Sequence, residues 1–258
     1  TAARKYYTEK ALPAAVSWIA SPFLRNGFMK YANRTTKEVL EDITDNEELR
    51  GVLAGQYGDY GMAPKDSSFG IHAMVAKHYF RGGFYPVGGS SKIAETFAPA
   101  IEKAGGAIYT NAEVAEIVVE DGKATGVKMA DGNIFKATEG VISNAGVYNT
   151  YEKLLPANAP KKLGLQEKAN RLKPSACHLS LYIGLDKTAE ELGLSRANYW
   201  IYPNDYNHDR VMERYLENWK EEEFPVVYIS FPSAKDPDFT NRFPGKATIE
   251  IITFAPYE

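Results

Sequence analysis

The chain has 258 residues, which is enough for one large domain or two small ones with a sizeable hydrophobic core. Its 30 basic and 33 acidic residues nearly balance, which argues against a nucleic-acid partner. Cys177 is the one cysteine, so an intramolecular disulfide framework is excluded and a reducing, cytoplasmic compartment is favoured. The histidines lack metal-ligand spacing, and we expect no metal site at His72, His78, His178 or His208.

Residues 1–80 are predicted to be mostly helical. The most apolar early stretch, residues 12–29, contains two prolines and Arg25. These residues argue against a helix that spans a membrane. Packing in the hydrophobic core is the favoured interpretation of this stretch, and contact with a membrane surface is the alternative.

Helix caps can be identified in the same region. Thr35 and Thr44 are each followed three residues later by a glutamate, and this capping-box pattern predicts two helices. A glycine- and tyrosine-rich loop is predicted at residues 55–64. Ser67 or Ser68 is then expected to cap a third helix.

Residues 81–146 are the most informative stretch of the sequence. Residues 82–91 read Gly-Gly-Phe-Tyr-Pro-Val-Gly-Gly-Ser-Ser, with two glycine pairs around an aromatic-proline core. Paired glycines allow left-handed backbone angles and the close approach of a ligand, and the amino terminus of the next helix suits an anion. A tight turn into a core helix, with Ile93 and Phe97 on its buried face, explains the same spacing and is favoured on spacing alone.

The remainder of this stretch predicts a short strand at residues 107–110, a three-stranded meander and a return strand at residues 140–143. Asp-Gly pairs at Asp121 and Asp131 are the hairpin signals of the meander. No Gly-x-Gly-x-x-Gly fingerprint and no Walker loop occur in the sequence. This order of parts is typical of dinucleotide-binding flavoproteins.

Residues 148–155 predict a short helix that Pro156 stops, followed by a linker at 157–160 and a helix at 161–172. The strands of an antiparallel sheet are predicted at residues 176–185, 198–202, 225–231 and 247–254. In the first strand, one alternating face is predicted to be core: Cys177, Leu179, Leu181, Ile183 and Leu185. The other face, with His178, Ser180 and Tyr182, is predicted to face solvent or to form the wall of a cavity.

Several motifs together resemble a known family. They are residues 82–91, Ala-Gly-Gly-Ala-Ile-Tyr-Thr at 104–110, Val-Ile-Ser-Asn-Ala-Gly-Val-Tyr-Asn-Thr-Tyr at 141–151, Tyr-Gly-Met-Ala-Pro at 60–64, Phe-Pro-Ser-Ala-Lys-Asp-Pro at 231–237 and Arg-Phe-Pro-Gly at 242–245. In this order the chain resembles, over nearly its whole length, the retinol saturase branch of the FAD-dependent phytoene desaturase superfamily, the all-trans-retinol 13,14-reductases.

The resemblance implies an α/β fold of mixed α+β character. It implies part of an FAD/NAD(P)-binding flavoprotein fold with a β-meander, and a substrate domain of antiparallel sheet and helices. Residues 1–80 would be the helical part of the substrate domain, 81–156 a partial FAD-binding domain, and 157–258 the part of the substrate domain with the sheet. Because such flavoproteins begin with a strand, a glycine-rich turn and a helix, we expect this chain to be the central section of a longer enzyme. The full-length protein is expected to hold FAD, and the section itself is expected to be inactive.

The resemblance also implies cofactor-binding residues. Val114 matches the position at which such flavoproteins hold the adenine of FAD through backbone groups. Gly88 and Gly89 match paired glycines that lie near the cofactor or the substrate. Asn144 and Ala145 match a turn that lies near the dinucleotide. Turn geometry is the alternative explanation for each of them.

The implied activity is FAD-dependent oxidoreduction of carbon–carbon double bonds in a hydrophobic polyene, a retinoid or a carotenoid, by a saturase, desaturase or isomerase. Tyr85, His178 and Tyr182 are candidates for proton delivery, and no residue is assigned as catalytic.

One alternative function is a module that binds a hydrophobic ligand without redox activity. Another is a phosphate or nucleotide-sugar enzyme that uses residues 82–91 as an anion-binding nest. The lipophilic substrate favours peripheral membrane contact, and exposed apolar surface favours self-association.

Overall fold

The computed structural model describes residues 27–157 and 177–256, with single residues at 11, 159, 167 and 171. The chain divides into two compact units, residues 1–94 with 175–258, and residues 95–174. The domain boundaries predicted after residues 80 and 156 stay predictions. Most of the predicted apolar stretch at 12–29 and most of the predicted helix at 161–172 lie outside the described residues. Within the described part of the chain, no helix is long and apolar enough to cross a membrane.

The first unit begins with two short helices, α1 (Thr36–Ile43) and α2 (Glu47–Ala54). The capping box predicted at Thr35 is confirmed, because its hydroxyl accepts from the N–H of Glu38 and the Glu38 carboxylate accepts from the N–H of Thr35, at 3.1 and 2.8 Å.

The cap predicted at Thr44 is wrong. The side chain of Asn46 accepts from the N–H of Leu49 at 3.0 Å and caps α2 instead. Thr44 still belongs to the end of α1, since its N–H donates to the carbonyl of Leu40.

A one-turn 3-10 helix (Tyr57–Asp59) and α3 (Phe69–Tyr79) complete this helical region. The cap predicted at Ser67 or Ser68 is confirmed at Ser68, whose hydroxyl accepts from the N–H of Gly70 at 3.1 Å.

Four strands form the sheet of this unit: β4 (Cys177–Leu185), β5 (Tyr199–Ile201), β6 (Val227–Ser230) and β7 (Ala247–Ala255). All neighbours are antiparallel, in the order β4-β7-β6-β5, which confirms the predicted antiparallel sheet. The inserts between strands are α5 (His208–Glu217), α6 (Pro232–Lys235) and α7 (Phe239–Arg242).

The strand register assigns side chains to two faces, because residues directly opposite each other point the same way. One face, termed the pocket face, carries His178, Ser180, Tyr182, Glu250, Ile252, Phe254, Tyr228, Ser230 and Trp200. The other, termed the apolar face, carries Leu179, Leu181, Ile249, Ile251, Thr253, Val227, Ile229, Tyr199 and Ile201.

The prediction that the apolar face of β4 is core is wrong. Leu179 and Leu181 are 57% and 54% exposed. Among the described residues, β4 lies at one end of the sheet and has β7 as its one neighbouring strand. Alternation identified which residues share a face, but alternation does not reveal which face another element covers.

The hydrophobic core lies against the Phe254 end of the pocket face. Its centre is Tyr57, which is fully buried and stacks on Phe254 with 6.0 Å between ring centroids. The Tyr57 hydroxyl donates to the carbonyl of Pro225 at 3.3 Å, and the Tyr215 hydroxyl donates to that of Phe254 at 2.9 Å. Tyr57 therefore attaches the amino-terminal helical region to the sheet.

α4 (Ser91–Lys103) leads into the second unit, where β1 (Val114–Glu120), β2 (Lys123–Met129) and β3 (Ile134–Lys136) form the meander. The predicted meander is confirmed, with antiparallel order β1-β2-β3. Its first hairpin places Asp121 and Gly122 at φ of 50° and 76°, as a two-residue turn requires. A π-helix follows at Asn149–Leu154, within the helix predicted there.

Two predicted strands of this unit are not formed. Residues 107–110 and 140–143 are not strands, and Ile142 is 100% exposed. A strand requires a neighbour for its backbone hydrogen bonds, and no strand of the described part pairs with either segment. The buried face predicted for α4 is wrong as well, since Ile93 and Phe97 are exposed.

Candidate functional site

A pocket of about 390 Å³ lies on the pocket face of the sheet. Its floor comes from β4, β7, β6 and β5, and its roof is the end of the 3-10 helix, at Gly58 and Asp59. The other lining residues are His178, Ser180, Trp200, Tyr228, Ile252 and Phe254 on the pocket face, together with Val226, which precedes β6, and Thr253, which belongs to the apolar face. On this face of β4, for which a solvent-facing side and a cavity wall were both predicted, His178 and Ser180 line the pocket and are also exposed to solvent.

The roof is held close to the sheet. A Cβ at Gly58 would lie 2.4 Å from the Trp200 ring, so this contact requires a glycine. The preceding residue, Tyr57, is anchored in the core. Because Tyr57 is buried and Gly58 contacts the Trp200 ring, the 3-10 helix holds Asp59 over the sheet.

The pocket combines apolar walls with a few polar groups. Partial desolvation raises the pKa of the Asp59 carboxyl, against the hydrogen bond from Tyr79 and the charge of His78, which lower it. Desolvation likewise raises the pKa of Tyr228, so this phenol stays neutral near neutral pH. Such surroundings suit an uncharged, largely apolar ligand.

A polar cluster occupies the other end of the pocket face. The Lys235 ammonium donates to the hydroxyl of Ser230 at 2.5 Å and to the side-chain carbonyl of Asn198. It also lies 5.8 Å from the centroid of the Tyr85 ring. Desolvation is the main cause that raises the pKa of Tyr85, and the negative charges of Asp236 and Glu250 add to it. Tyr85 is therefore held near this end of the sheet as a protonated phenol.

The glycine-rich turn is tied to the same end. The N–H of Gly88 donates to the carboxylate of Asp236 at 2.9 Å. That side chain is 1% exposed and also accepts from the N–H of Asp238 and the guanidinium of Arg242. Although desolvation opposes ionisation, these hydrogen bonds hold the pKa of the Asp236 carboxyl below its usual value.

The backbone angles and hydrogen bonds of Gly88 and Gly89 bear on their predicted position near the cofactor or the substrate. Gly88 and Gly89 have φ of 91° and 88°, angles that L side chains rarely adopt, so the turn alone accounts for them. An anion nest would use the N–H of Gly88 to bind a phosphate, but here this N–H donates to the carboxylate of Asp236. The N–H of Gly89 donates to the carbonyl of Pro86 at 3.0 Å. Their proximity to a cofactor stays a prediction.

The other predicted cofactor residues lie in the second unit. Val114 opens β1, the outer strand of the meander, opposite Met129. An outer strand has one edge of backbone groups that its neighbour does not use, which fits recognition of a nucleotide through the backbone. Asn144 and Ala145 lie in an exposed turn, where Ala145 accepts from the side chain of Asn149 at 2.9 Å. The proximity of Val114, Asn144 and Ala145 to a dinucleotide cofactor stays a prediction.

The structure brings Tyr85, His178 and Tyr182 to one face of one sheet. His178 lines the pocket, whereas Tyr182 is 72% exposed beside Glu250.

The sequence did not predict the roles of Asp59 and of the residues that hold the glycine turn, Lys235, Asp236 and Arg242. The signal was available, since residues 231–237 and 242–245 were among the motifs that carried the resemblance. In the described residues, no group of histidine, cysteine or acidic side chains could hold a metal ion.

Residues 29–206 match the family model described as flavin containing amine oxidoreductase, which implies a flavin cofactor. The chain is 41% identical over 237 residues to an all-trans-retinol 13,14-reductase from Danio rerio, a match that covers 90% of this chain and 39% of that protein. It is 30% identical to a phytoene desaturase (lycopene-forming) from Pseudescherichia vulneris, over 72% of this chain and 36% of that protein. The predicted resemblance is confirmed. The chain spans about two fifths of the length of the curated relatives it matches.

A solved structure shows the same fold. The crystal structure of an oxidoreductase from Methanosarcina mazei superimposes with a TM-score of 0.60 over 96% of this chain and 54% of that one, at 19% sequence identity. The predicted fold class, mixed helix and sheet with antiparallel sheets, is confirmed by this match and by the strand topology.

Proposed function

The chain belongs to the flavin containing amine oxidoreductase family, and from this we propose that it forms part of an FAD-dependent oxidoreductase acting on carbon–carbon double bonds of a hydrophobic polyene. The observation that carries the proposal is the 41% identity to an all-trans-retinol 13,14-reductase over 90% of the chain. Identity to a phytoene desaturase is lower, at 30%, which favours reduction over desaturation. The mostly apolar pocket on the sheet supports a retinoid or carotenoid as the substrate.

The flavin, when bound in its reduced form, would supply the hydride that saturates the double bond and would be oxidised to FAD. Val114 would hold the adenine through its backbone, and the turn at Asn144 and Ala145 would lie near the dinucleotide. Gly88 and Gly89 would approach the cofactor or the substrate. For these two glycines the support is the family resemblance, because their backbone angles have a structural explanation of their own.

Saturating a double bond also consumes a proton, which the chain must deliver to the second carbon. His178 is the favoured donor, since it lines the pocket on β4. Tyr85 is the second candidate, because it is a neutral phenol held beside Lys235 at the far end of the same face. Tyr182 is the weakest of the three, since 72% of its surface faces solvent.

A lipophilic substrate is concentrated in membranes, so we also propose a cytoplasmic protein with peripheral membrane contact. The alternative function is a module that binds a hydrophobic ligand without redox activity. The pocket alone supports a binding module as well as it supports an enzyme. A measurement of retinol turnover distinguishes the two functions.

The first experiment is a visible absorption spectrum of the purified chain, before and after addition of FAD and gel filtration. A flavin band that elutes with the protein means that this section holds the cofactor, and a colourless protein means that the longer enzyme holds it elsewhere. The flavin-loaded protein is then reduced without oxygen and mixed with all-trans-retinol, whose long-wavelength absorption should decrease as conjugation is shortened. Tight binding of retinol with no spectral change at any flavin loading would mean that this section by itself is a binding module, and the same result for the longer enzyme that contains it would overturn the redox function.

A further inference from the structure

Asp59 is the one carboxylate among the residues that line the pocket in the described structure. The sheet below it is mostly apolar, with Trp200, Val226, Ile252 and Phe254 on the floor. A few placed polar groups in such a pocket usually fix the orientation of a ligand. The Asp59 carboxylate is therefore the main group at this site that can distinguish one ligand from another.

The carboxylate is positioned by rigid neighbours. Asp59 ends the 3-10 helix whose Tyr57 is fully buried and whose Gly58 sits directly against Trp200. Tyr228 lines the same pocket, and the charge of Asp59 contributes to the raised pKa of this phenol. Although Asp59 is exposed, its position next to Gly58 keeps the carboxylate at the rim of the pocket, where a ligand can reach it.

Tyr79 interacts with Asp59. Desolvation, with a contribution from this interaction, raises the pKa of Tyr79 to about 12. A carboxylate offers about four acceptor positions, so one phenol leaves others for a ligand. A partly desolvated carboxylate gains more from a hydroxyl donor than one in bulk water does.

We propose that Asp59 accepts a hydrogen bond from the hydroxyl group of an amphipathic polyene alcohol, and that this contact selects alcohols over polyene ethers and hydrocarbons. The polyene class rests on the proposed function. The hydroxyl lies beneath the roof, and the conjugated chain extends over the apolar floor. A volume of about 390 Å³ is near the lower end of the roughly 300–1,000 Å³ of small-molecule pockets, which favours a short polyene over a long one.

The test is equilibrium binding to the flavin-loaded protein, followed by quenching of tryptophan fluorescence. The probes are all-trans-retinol, its methyl ether, and the matching hydrocarbon that lacks oxygen. A hydrogen bond to a charged acceptor predicts that the alcohol binds about 10-fold or more tighter than the ether. In Asp59→Ala this preference should vanish. In Asp59→Asn, which keeps a neutral acceptor, it should fall to about two- to tenfold.

Asp45→Ala removes an exposed carboxylate between α1 and α2, outside the pocket, and should keep the full preference. An unchanged unfolding midpoint in Asp59→Asn shows that the change is local. Equal binding of alcohol and ether by the wild-type protein, or a preference that persists in Asp59→Ala, would overturn the proposal. Turnover of retinol is measured on the same samples. Turnover without a preference for the alcohol would overturn the role of Asp59 alone. A preference without turnover would overturn the redox function alone.

Discussion

The carboxylate of Asp236 accepts a hydrogen bond at 2.9 Å from the backbone N–H of Gly88, a residue 148 positions earlier in the chain. This contact joins the glycine-rich turn to the end of α6, and Lys235 of the same helix contacts Ser230 on the pocket face. One short segment therefore orients both the turn and the polar end of the sheet. The arrangement explains why the two motifs occur together in the sequence.

Replacement of Asp236 by alanine should destabilise the protein. The substitution leaves the buried N–H of Gly88 without its acceptor and removes the partner of Arg242. Loss of one member of such a buried network typically costs about 3 kcal/mol in the free energy of unfolding. Urea unfolding measures the difference. The control is Asp238→Ala, whose side chain is 38% exposed and should cost at most about 1 kcal/mol. Equal losses in the two variants would contradict the contact.

The stability that Asp236 provides should depend on pH. Its pKa is lower in the folded state than in the unfolded chain, where an aspartate titrates near about 3.9. The contribution is therefore present above about pH 4 and is lost as the pH falls through the folded-state pKa. The difference in unfolding free energy between wild type and Asp236→Asn, measured from pH 7 to pH 3, should shrink in the acidic part of this range. A constant difference would show that the charge of Asp236 is not the stabilising feature.

Gly58→Ala should disturb the roof of the pocket. The added Cβ would lie 2.4 Å from Cζ3 of Trp200, a rigid ring packed between the turn and Tyr228. Overpacking of this kind typically costs about 1–3 kcal/mol, and retinol affinity should fall with it. Gly83→Ala is the matched control, since nothing lies within 4 Å of its Cβ position. Wild-type stability and affinity in Gly58→Ala would mean that the roof is not held against the sheet.

His178→Gln should lower the turnover number of the flavin-loaded enzyme. A positioned proton donor contributes about 10²–10⁴-fold to a rate, so kcat should drop by about 100-fold or more while retinol binding changes little. Steady-state kinetics separates kcat from KM. Tyr182→Phe, on the same face but largely exposed, should keep the wild-type kcat. If Tyr85→Phe causes the loss and His178→Gln does not, the proton comes from Tyr85.

The apolar face of the sheet should mediate self-association of this chain. Leu179 and Leu181 are more than half exposed on the outer strand, and an open apolar sheet face beside a free edge favours contact between copies. Sedimentation velocity at increasing concentration should show a mass above 28.6 kDa for the wild-type chain and the monomer for Leu181→Glu. Leu192→Glu, outside the sheet, is the control. A strictly monomeric wild-type chain at high concentration would contradict this prediction.

Local patterns in the sequence predicted most elements of the fold. The capping box at Thr35, the Asp-Gly hairpin at Asp121 and the alternation in β4 each depend on residues close together in the chain, and the structure contains all three. The errors have a different origin. Asn46 replaced Thr44 as a cap because neighbouring residues compete for one helix end, and residues 107–110 formed no strand because strands require partners.

The sequence by itself determined the family, the order of the strands and helices, and the sharing of one strand face by His178, Ser180 and Tyr182, because motifs and periodicity are properties of adjacent residues. The tertiary structure alone decided which face of that strand lines a pocket and that Asp59 covers it. It also decided that Asp236 holds Gly88. These relationships join residues more than 100 positions apart, and only the packing of the folded chain brings such residues into contact.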